Sequence, residues 1–303
     1  MSNTTTVEER PAGDDLPYVV RLAIPNKGRI SIPILELMEK SGLHLLDAGE
    51  RRLISRTPDP HIEVLFARPI DIPEYVATGA ADMGITGHDM VAERGVQVDE
   101  LLDLQFGVAT LVLAVQEGSP VQSVNDLLNA KIATEFPVIA QSYFAQLNIP
   151  VHIVQVGGAC EATPYLGIAD AIIDLSSSGD TLRSNRLRVI SKVMKTSTVV
   201  IANRDARAAK SEKVDEIVLA LESVIRARGQ CYLMMNVRRA CLPDVKRVLP
   251  GLSGPTVMEV AASEDLVAVH AVVSEDRVYR LINLLKRAGA RDILVMSIER
   301  MVR

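Results

Sequence analysis

The chain has no tryptophan, and aromatic residues make up only 3% of its 303 positions. That poverty argues against a base-stacking surface for single-stranded nucleic acid. The core must instead be built from Val, Ile, Leu, Ala and Met. Cysteine is scarce as well. Cys160, Cys231 and Cys241 form no CxxC pair, which fits a reducing compartment better than a disulfide scaffold. The net charge is −5 and there is no long basic run, so nucleic acid is a poor partner, while a phosphate-rich small molecule needs only a few local donors. The five histidines are scattered, without metal-ligand spacing. No segment reaches 18 clean apolar residues, so no membrane span is expected and a cytoplasmic location follows by default. Residues 1–17 are polar throughout and read as a disordered tail, with no signal peptide. Neither a Walker A loop nor a GxGxxG fingerprint is present.

What remains is an ordinary globular mix, 48% hydrophobic and 23% charged, long enough for two or three domains. Short apolar runs alternate with amphipathic segments. Strands are predicted at 18–24, 62–67, 83–86, 110–115, 131–134, 151–156, 171–175 and 198–202. Helices are predicted at 30–40, 71–78, from 88 or 89, and at 123–128, 138–147, 161–166 and 211–228. Strands apolar on both faces, alternating with helices, imply parallel sheets covered by helices. From residue 231 the order changes to strand 232–237, helix 243–249, strands 256–260 and 266–273, helix 275–287 and strand 292–298. That is βαββαβ, the ferredoxin-like order, with a boundary expected at 227–230 and Pro250–Pro255 as an internal turn.

Five segments carry candidate chemistry. PNKGR (25–29) puts Lys27, Gly28 and Arg29 between a strand end and a helix start. Cations and free amides there suit a phosphate, although a solvated polar turn has the same composition. Arg68 directly follows a strand, where a forked guanidinium can clamp a phosphate in the crevice or ion-pair on the surface. Asp71 reads as a helix cap. In GAADMGITGHDM (79–90), Asp82 reads as a partner for local amides. Asp89 reads as a crevice or capping residue, and His88 as structural. GGACEATP (157–164) offers Glu161 after a Gly-Gly turn, for a ribose hydroxyl, a base or a cation; the neighbouring Cys160 has no evident base. The strongest segment is IADAIIDLSSSGDTLRSN (168–185), where an apolar strand ends at Asp174-Leu175 and serines, Gly179, Asp180 and Thr181 precede a helix. Amides and hydroxyls at such a junction make a nest for a phosphate.

Taken together, LAIPNKGR, ARPIDIPEYVATGAADMGITGHD, ATEFP and ADAIIDLSSSGDTLRSNRL resemble the motifs of the ATP phosphoribosyltransferase family, in that family's order. The stretch with MMN, PGLSGPT, VAVHAVV and GARDILVMSIERMV is similar to the regulatory domain of the family's long form, which works without a separate activating subunit. The resemblance implies an α/β fold with a bilobed catalytic body resembling type II periplasmic binding proteins. Lobe I would span 18–109 and 197–227, lobe II 110–196, and a ferredoxin-like regulatory domain 231–303. It implies the first step of histidine biosynthesis: N1 of ATP attacks C1 of phosphoribosyl pyrophosphate, and pyrophosphate leaves. Mg2+ would be held chiefly by substrate oxygens.

Carried over residue by residue, the resemblance makes Lys27, Arg68 and Glu161 catalytic contacts. Asp89, Asp174, Ser176, Ser177, Ser178, Gly179, Asp180 and Thr181 become substrate-binding, with Asp174 on the ribose hydroxyls and Ser177–Thr181 on the 5′-phosphate. Ser178 and Asp180 depart from the common family form, and Asp180 adds a negative charge beside the expected phosphate. Asn236, Thr256, Ala271 and Ala290 fall in the region expected to bind histidine as inhibitor. A homo-oligomer, dimer or hexamer, is implied. A bilobed solute-binding protein and an amino-acid-sensing regulator share parts of this architecture, but the first leaves the serine-rich loop without a purpose and the second leaves both PNKGR and that loop idle.

Overall fold

The computed structural model describes residues 18–46, 53–249, 254–261 and 263–302. The expected N-terminal tail and most of the 250–255 turn lie outside these residues. The chain divides into two compact units, one ending at Val218 and one beginning at Leu219. This division falls inside a helix, upstream of 227–230.

In the first unit, β1 (Val20–Pro25) leads through α1 (Ser31–Ser41) and edge strand β2 (Ile54–Arg56) to β3 (Ile62–Ala67). Then come α2 (Ile72–Ala77), β4 (Met83–Gly87), α3 (His88–Arg94) and β5 (Asp99–Asp103). The chain crosses to a second sheet through β6 (Ala109–Gln116), β7 (Lys131–Thr134), α4 (Pro137–Gln146), β8 (His152–Gln155), β9 (Ala171–Ser176), α5 (Asp180–Ser184) and β10 (Leu187–Thr196). β11 (Thr198–Ala202) returns it to the first, followed by α6 (Arg204–Ala209) and α7 (Ser211–Ala227).

The sheet orders are β2-β3-β1-β4-β11-β5 and β10-β6-β9-β7-β8. Apart from β2, both read the same way: second strand, first, third, the strand delivered by a crossing, then the fourth. This is the doubled arrangement of a type II periplasmic binding protein. Each sheet is mixed rather than all parallel, because the crossing strand enters from the other lobe. β11 runs antiparallel to β4 and β5, and β6 antiparallel to β9 and β10. The two crossings lie side by side, joined by Leu104 N–H to Thr198 O (2.9 Å) and Thr198 N–H to Phe106 O (3.0 Å).

Packing follows the apolar runs. Leu22, Ile24, Val64, Met83 and Ile85 are fully buried in the first sheet, and Leu111, Leu113, Ile132 and Ile173 in the second. Each such side chain contributes about 2 kcal/mol of burial. The small residues of GAADMGITG have a packing reason. A Cβ on Gly84 would stand 2.6 Å from Ile72 Cγ2 and 3.0 Å from Val76 Cγ2, so α2 seats on β4 only over a glycine. The helices expected at 123–128 and 161–166 are single 3-10 turns, Val124–Leu127 and Cys160–Ala162.

The second unit contains β12 (Gln230–Arg238), α8 (Leu242–Val248), β13 (Thr256–Glu259), β14 (Leu266–Ser274), α9 (Glu275–Arg287) and β15 (Ala290–Ser297). Its sheet order, β13-β14-β12-β15, is antiparallel between neighbours. That is the ferredoxin-like topology. Leu233, Met235, Val237, Val267 and Val269 on one sheet face pack with Val245, Leu281 and Leu285 of the helices.

Candidate functional site

The expected site residues leave the two sheets at equivalent places. Pro25 and Ala67 are paired at the carboxyl ends of the parallel strands β1 and β3, so Lys27 and Arg68 issue from neighbouring strand ends. Asp89 follows the end of β4. On the second sheet, Glu135 follows β7, Glu161 follows β8, and the loop 174–181 grows from β9. In open α/β sheets these carboxyl ends border the ligand crevice. A cavity of about 180 Å³ is lined by Arg29, Asp89, Gly107 and Thr198 together with Leu175 of the second sheet. The Thr198 hydroxyl is buried there without a hydrogen-bond partner.

The cations differ in what holds them. Lys27 is exposed. Arg29 donates to Gly107 O (3.2 Å) on the first crossing. Arg68, 67% exposed, donates to Asp71 Oδ2 (2.6 Å), while Arg94 donates to Asp71 Oδ1 (2.9 Å). Asp71 therefore stands at the N-cap position of α2 without capping it; two arginines occupy its oxygens. Asp82 accepts from Arg21 N–H and from Lys210 Nζ, both at 2.8 Å, a structural role. His88 is also occupied, Nδ1 lying 2.7 Å from Glu100 Oε1. Asp89 is buried, and its Oδ1 accepts 2.7 Å from the Thr196 hydroxyl.

On the second sheet, burial pushes the Asp174 carboxyl up to about 6, aided by the nearby charges of Glu161 and Glu135; the Leu175 N–H donated to it opposes the rise. The same three carboxylates surround Cys160. Its thiol, pushed up to about 12 chiefly by burial, donates to Ala133 O (3.2 Å), so it is no nucleophile. The loop turns at Gly179, whose φ of 79° suits glycine. Ser177, Ser178, Asp180 and Thr181 are exposed. Among the described residues, no group of three His, Cys, Asp or Glu side chains converges closely enough to hold a metal ion. Asp174, Glu135 and Glu161 influence one another through space but do not form a ligand cage.

In the second unit the four expected regulatory residues divide between two faces. Asn236 lies opposite Ala268, and Thr256 opposite His270, on the face away from the helices. Ala271 and Ala290 lie on the other face, inside the apolar cluster. Their side chains are therefore not gathered with Asn236 and Thr256. Asn236 Nδ2 donates to Asp292 Oδ2 (3.0 Å).

Sequence reasoning did not single out Glu135, Thr198 or Asp292. Glu135 stood inside the quoted ATEFP segment, whereas Thr198 looked like part of a buried strand. Asp292 comes next to Asn236 through strand pairing across 56 residues, which local patterning cannot reveal.

Fold and site define a two-lobed α/β protein that presents its chemistry at opposed strand ends, followed by a ferredoxin-like unit. The family model for ATP phosphoribosyltransferase matches residues 68–223, and the model for that family's C-terminal domain matches 227–300. An ATP phosphoribosyltransferase of Methanocella arvoryzae is 53% identical over 285 residues, 94% of this chain and 100% of the relative. One from Methanosarcina barkeri is 50% identical over 289 residues, with the same coverage. The solved ATP phosphoribosyl transferase (HisG:HisZ) complex from Thermotoga maritima has a chain that superposes with a TM-score of 0.62 at 28% identity, over 69% of this chain and 99% of that one. The chain belongs to the ATP phosphoribosyltransferase family, in its long form with a C-terminal regulatory domain. Among the described residues, no helix is long and apolar enough to cross a membrane.

Proposed function

We propose that this chain joins N1 of ATP to C1 of phosphoribosyl pyrophosphate with the work divided between its lobes. Lobe I is residues 18–109 with 197–227, lobe II is 110–196, and 231–303 is regulatory. Lobe II takes the phosphoribosyl group. Asp174 accepts from the ribose hydroxyls, while the hydroxyls and amides of Ser176 to Thr181 hold the 5′-phosphate. Lobe I supplies Lys27 and Arg68 to the pyrophosphate. The bond from C1 to the pyrophosphate oxygen breaks, its electron pair leaves with pyrophosphate, and the N1 lone pair forms the new bond. Between these events C1 carries positive charge, which the neighbouring carboxylates Asp174, Glu135 and Glu161 stabilise. Glu161 also aligns the adenine, and closure between the lobes excludes water.

Mg2+, when bound, neutralises charge on the pyrophosphate. With no converging ligand cage among the described residues, it would be held chiefly by substrate oxygens. Histidine binds the regulatory domain near Asn236 and Thr256 and favours a less active arrangement. The assembly is a homo-oligomer.

The observation that supports this reading best is the cavity bordered by Arg29 and Asp89 from one sheet and by Leu175, next to Asp174, from the other. Incubation with ATP, phosphoribosyl pyrophosphate and Mg2+ should yield phosphoribosyl-ATP. In Asp174→Ala and Thr181→Ala, kcat/KM for phosphoribosyl pyrophosphate should fall at least tenfold with little change in melting temperature. Wild-type kinetics in both variants would remove the loop from the site.

A further inference from the structure

Helix α4 begins without a cap of its own. Its N-cap residue is Phe136, its first residue is Pro137, and its first turn contains no acid. Four N–H groups at a helix start need acceptors, or a proline in place of one. Here the acceptor comes from the other sheet. The Glu93 carboxylate, on α3, accepts from Val138 N–H (3.1 Å) through Oε1 and from Ile139 N–H (3.0 Å) through Oε2. Glu93 is 8% exposed. A carboxylate at that place also complements the positive end of the α4 dipole.

Glu93 is not alone on its helix. Asp89 lies one turn earlier, at i−4, on the same face. It is 5% exposed and its Oδ1 is held by Thr196, the last residue of β10. His88 N–H donates to Ser197 O (2.9 Å) on the return crossing. Between the two acids, Met90 and Ala92 pack against the apolar cluster of the second sheet. Helix α3 thus engages both sheets: Val91 packs on the first-sheet cluster and Arg94 donates to Ile70 O and Asp71, while Met90, Ala92 and Glu93 reach the second sheet and α4.

The partner matters for the chemistry. The residue two places before Pro137 is Glu135, one of the carboxylates that raise Asp174. The connecting segment is stiff: Thr134 is fully buried, its hydroxyl accepts 2.9 Å from Phe136 N–H, and Phe136 is 4% exposed. A shift of the α4 start therefore carries Glu135 with it.

We propose that Glu93 is a positioning residue for the transfer reaction: by capping α4 across the cleft it fixes Glu135 and the spacing of the two lobes. It touches no substrate. The proposal rests on the reading of this cleft as the transfer site. Misplacement of catalytic groups by about 1 Å can cost up to about 100-fold in rate, so a bolt of this kind should be read in kcat.

The test uses the full-length chain. Glu93→Ala should lower kcat at least tenfold, with KM for ATP and for phosphoribosyl pyrophosphate within about threefold of wild type. Glu93→Gln keeps the shape and one acceptor, and should lose less. Ile139→Val, at the same helix start, is the control: it lowers stability without touching the carboxylate and should keep kcat near wild type. A spin-label pair, one label on the exposed Asp205 of α6 and one on the exposed Gln141 of α4, reports the interlobe distance. Its distribution should shift or broaden in Glu93→Ala. Should Glu93→Ala fail to fold, Glu93→Gln carries the test. An unchanged kcat in the folded variants, or an Ile139→Val loss of kcat matching theirs, overturns the proposal. Because the label distance needs no substrate, it separates failure of the bolt from failure of the site reading, which Asp174→Ala tests.

Discussion

Arg183 Nη2 lies 2.5 Å from Asp180 Oδ1 and also donates to Ser178 O (3.2 Å). The extra acid of the proposed phosphate loop is therefore not a bare negative charge. The Ser178 hydroxyl and then the Arg183 guanidinium hold its carboxyl below the usual range. Both side chains are largely exposed, so the pair is screened and weak. An arriving phosphate competes with Asp180 for the same guanidinium. Asp180→Asn should release Arg183 and lower KM for phosphoribosyl pyrophosphate by about two- to fivefold, with kcat unchanged. Kinetics at two salt concentrations check this, since the advantage should shrink at high salt.

Asp174 gives the cleft a pH dependence. Its carboxyl is raised from 3.8 to about 6 by burial first, then by Glu161 and Glu135. In the proposed mode the ionised form accepts from the ribose hydroxyls, so kcat/KM for phosphoribosyl pyrophosphate should fall as pH drops below about 6. Glu161→Gln removes one negative neighbour and should move that midpoint to lower pH. Stability carries the opposite sign. Between pH 3.8 and about 6 the folded state holds a proton that the unfolded state has released, so this contribution falls as pH rises through that window and is flat above it. Asp174→Asn should therefore melt higher than wild type above pH 6 while losing activity. A midpoint unmoved in Glu161→Gln would contradict the coupling.

The strands that sequence patterning found are those with simple periodicity. β11 is predicted and observed at the same five residues, Thr198–Ala202, all buried. Of the three strands it missed, β2 is only three residues long, and the other two have further physical reasons for silence. β5 is DELLD, with acids at both ends and partial exposure. β10 carries register shifts between Val189 and Ser191 and between Lys192 and Met194, and each shift breaks the two-residue alternation. The mixed character of both sheets comes from β6 and β11, which patterning found but whose direction it does not encode. Lys27, Arg68, Glu161 and the loop could be singled out as candidates because each follows an apolar strand. The pairing of Arg94 with Asp71, 23 residues apart, and the joining of Glu93 to α4 required the tertiary fold.

Thr198 sets stability against function. Its hydroxyl is buried beside the cavity with no partner, and a buried unsatisfied hydroxyl costs about 1–3 kcal/mol. Thr198→Val keeps the shape and removes that cost, so the melting temperature should rise. If the hydroxyl meets substrate in the cleft, kcat/KM should fall at the same time. A rise in both stability and activity would show that the hydroxyl serves no bound group.

The proposed histidine control would turn on a carboxylate that lies outside the expected set. In that proposal an acid at position 236 would suit the amino group of histidine better than Asn236, whose side-chain amide donates to Asp292 Oδ2 at 3.0 Å. Asp292, exposed and with a φ of 48°, lies near the start of β15 inside the register shift between the Met234–Leu294 and Asn236–Arg291 pairs. A charge is thus supplied from the neighbouring strand. Histidine's amino group would be received by Asp292, with Asn236 and Thr256 as flanking polar groups. Ala271 and Ala290, buried on the other face, have only backbone to offer. Asp292→Asn should raise the histidine concentration needed for half-inhibition by about tenfold, the scale of one charge-assisted hydrogen bond. Asn236→Asp adds a carboxylate beside Asp292, and in the absence of histidine the two repel. Binding the amine relieves that repulsion, so inhibition should tighten. Activity against added histidine at several phosphoribosyl pyrophosphate concentrations checks both variants. Equal inhibition in wild type and Asp292→Asn would show that the amino group is held elsewhere, and a purely competitive pattern would put histidine in the cleft instead of the regulatory domain.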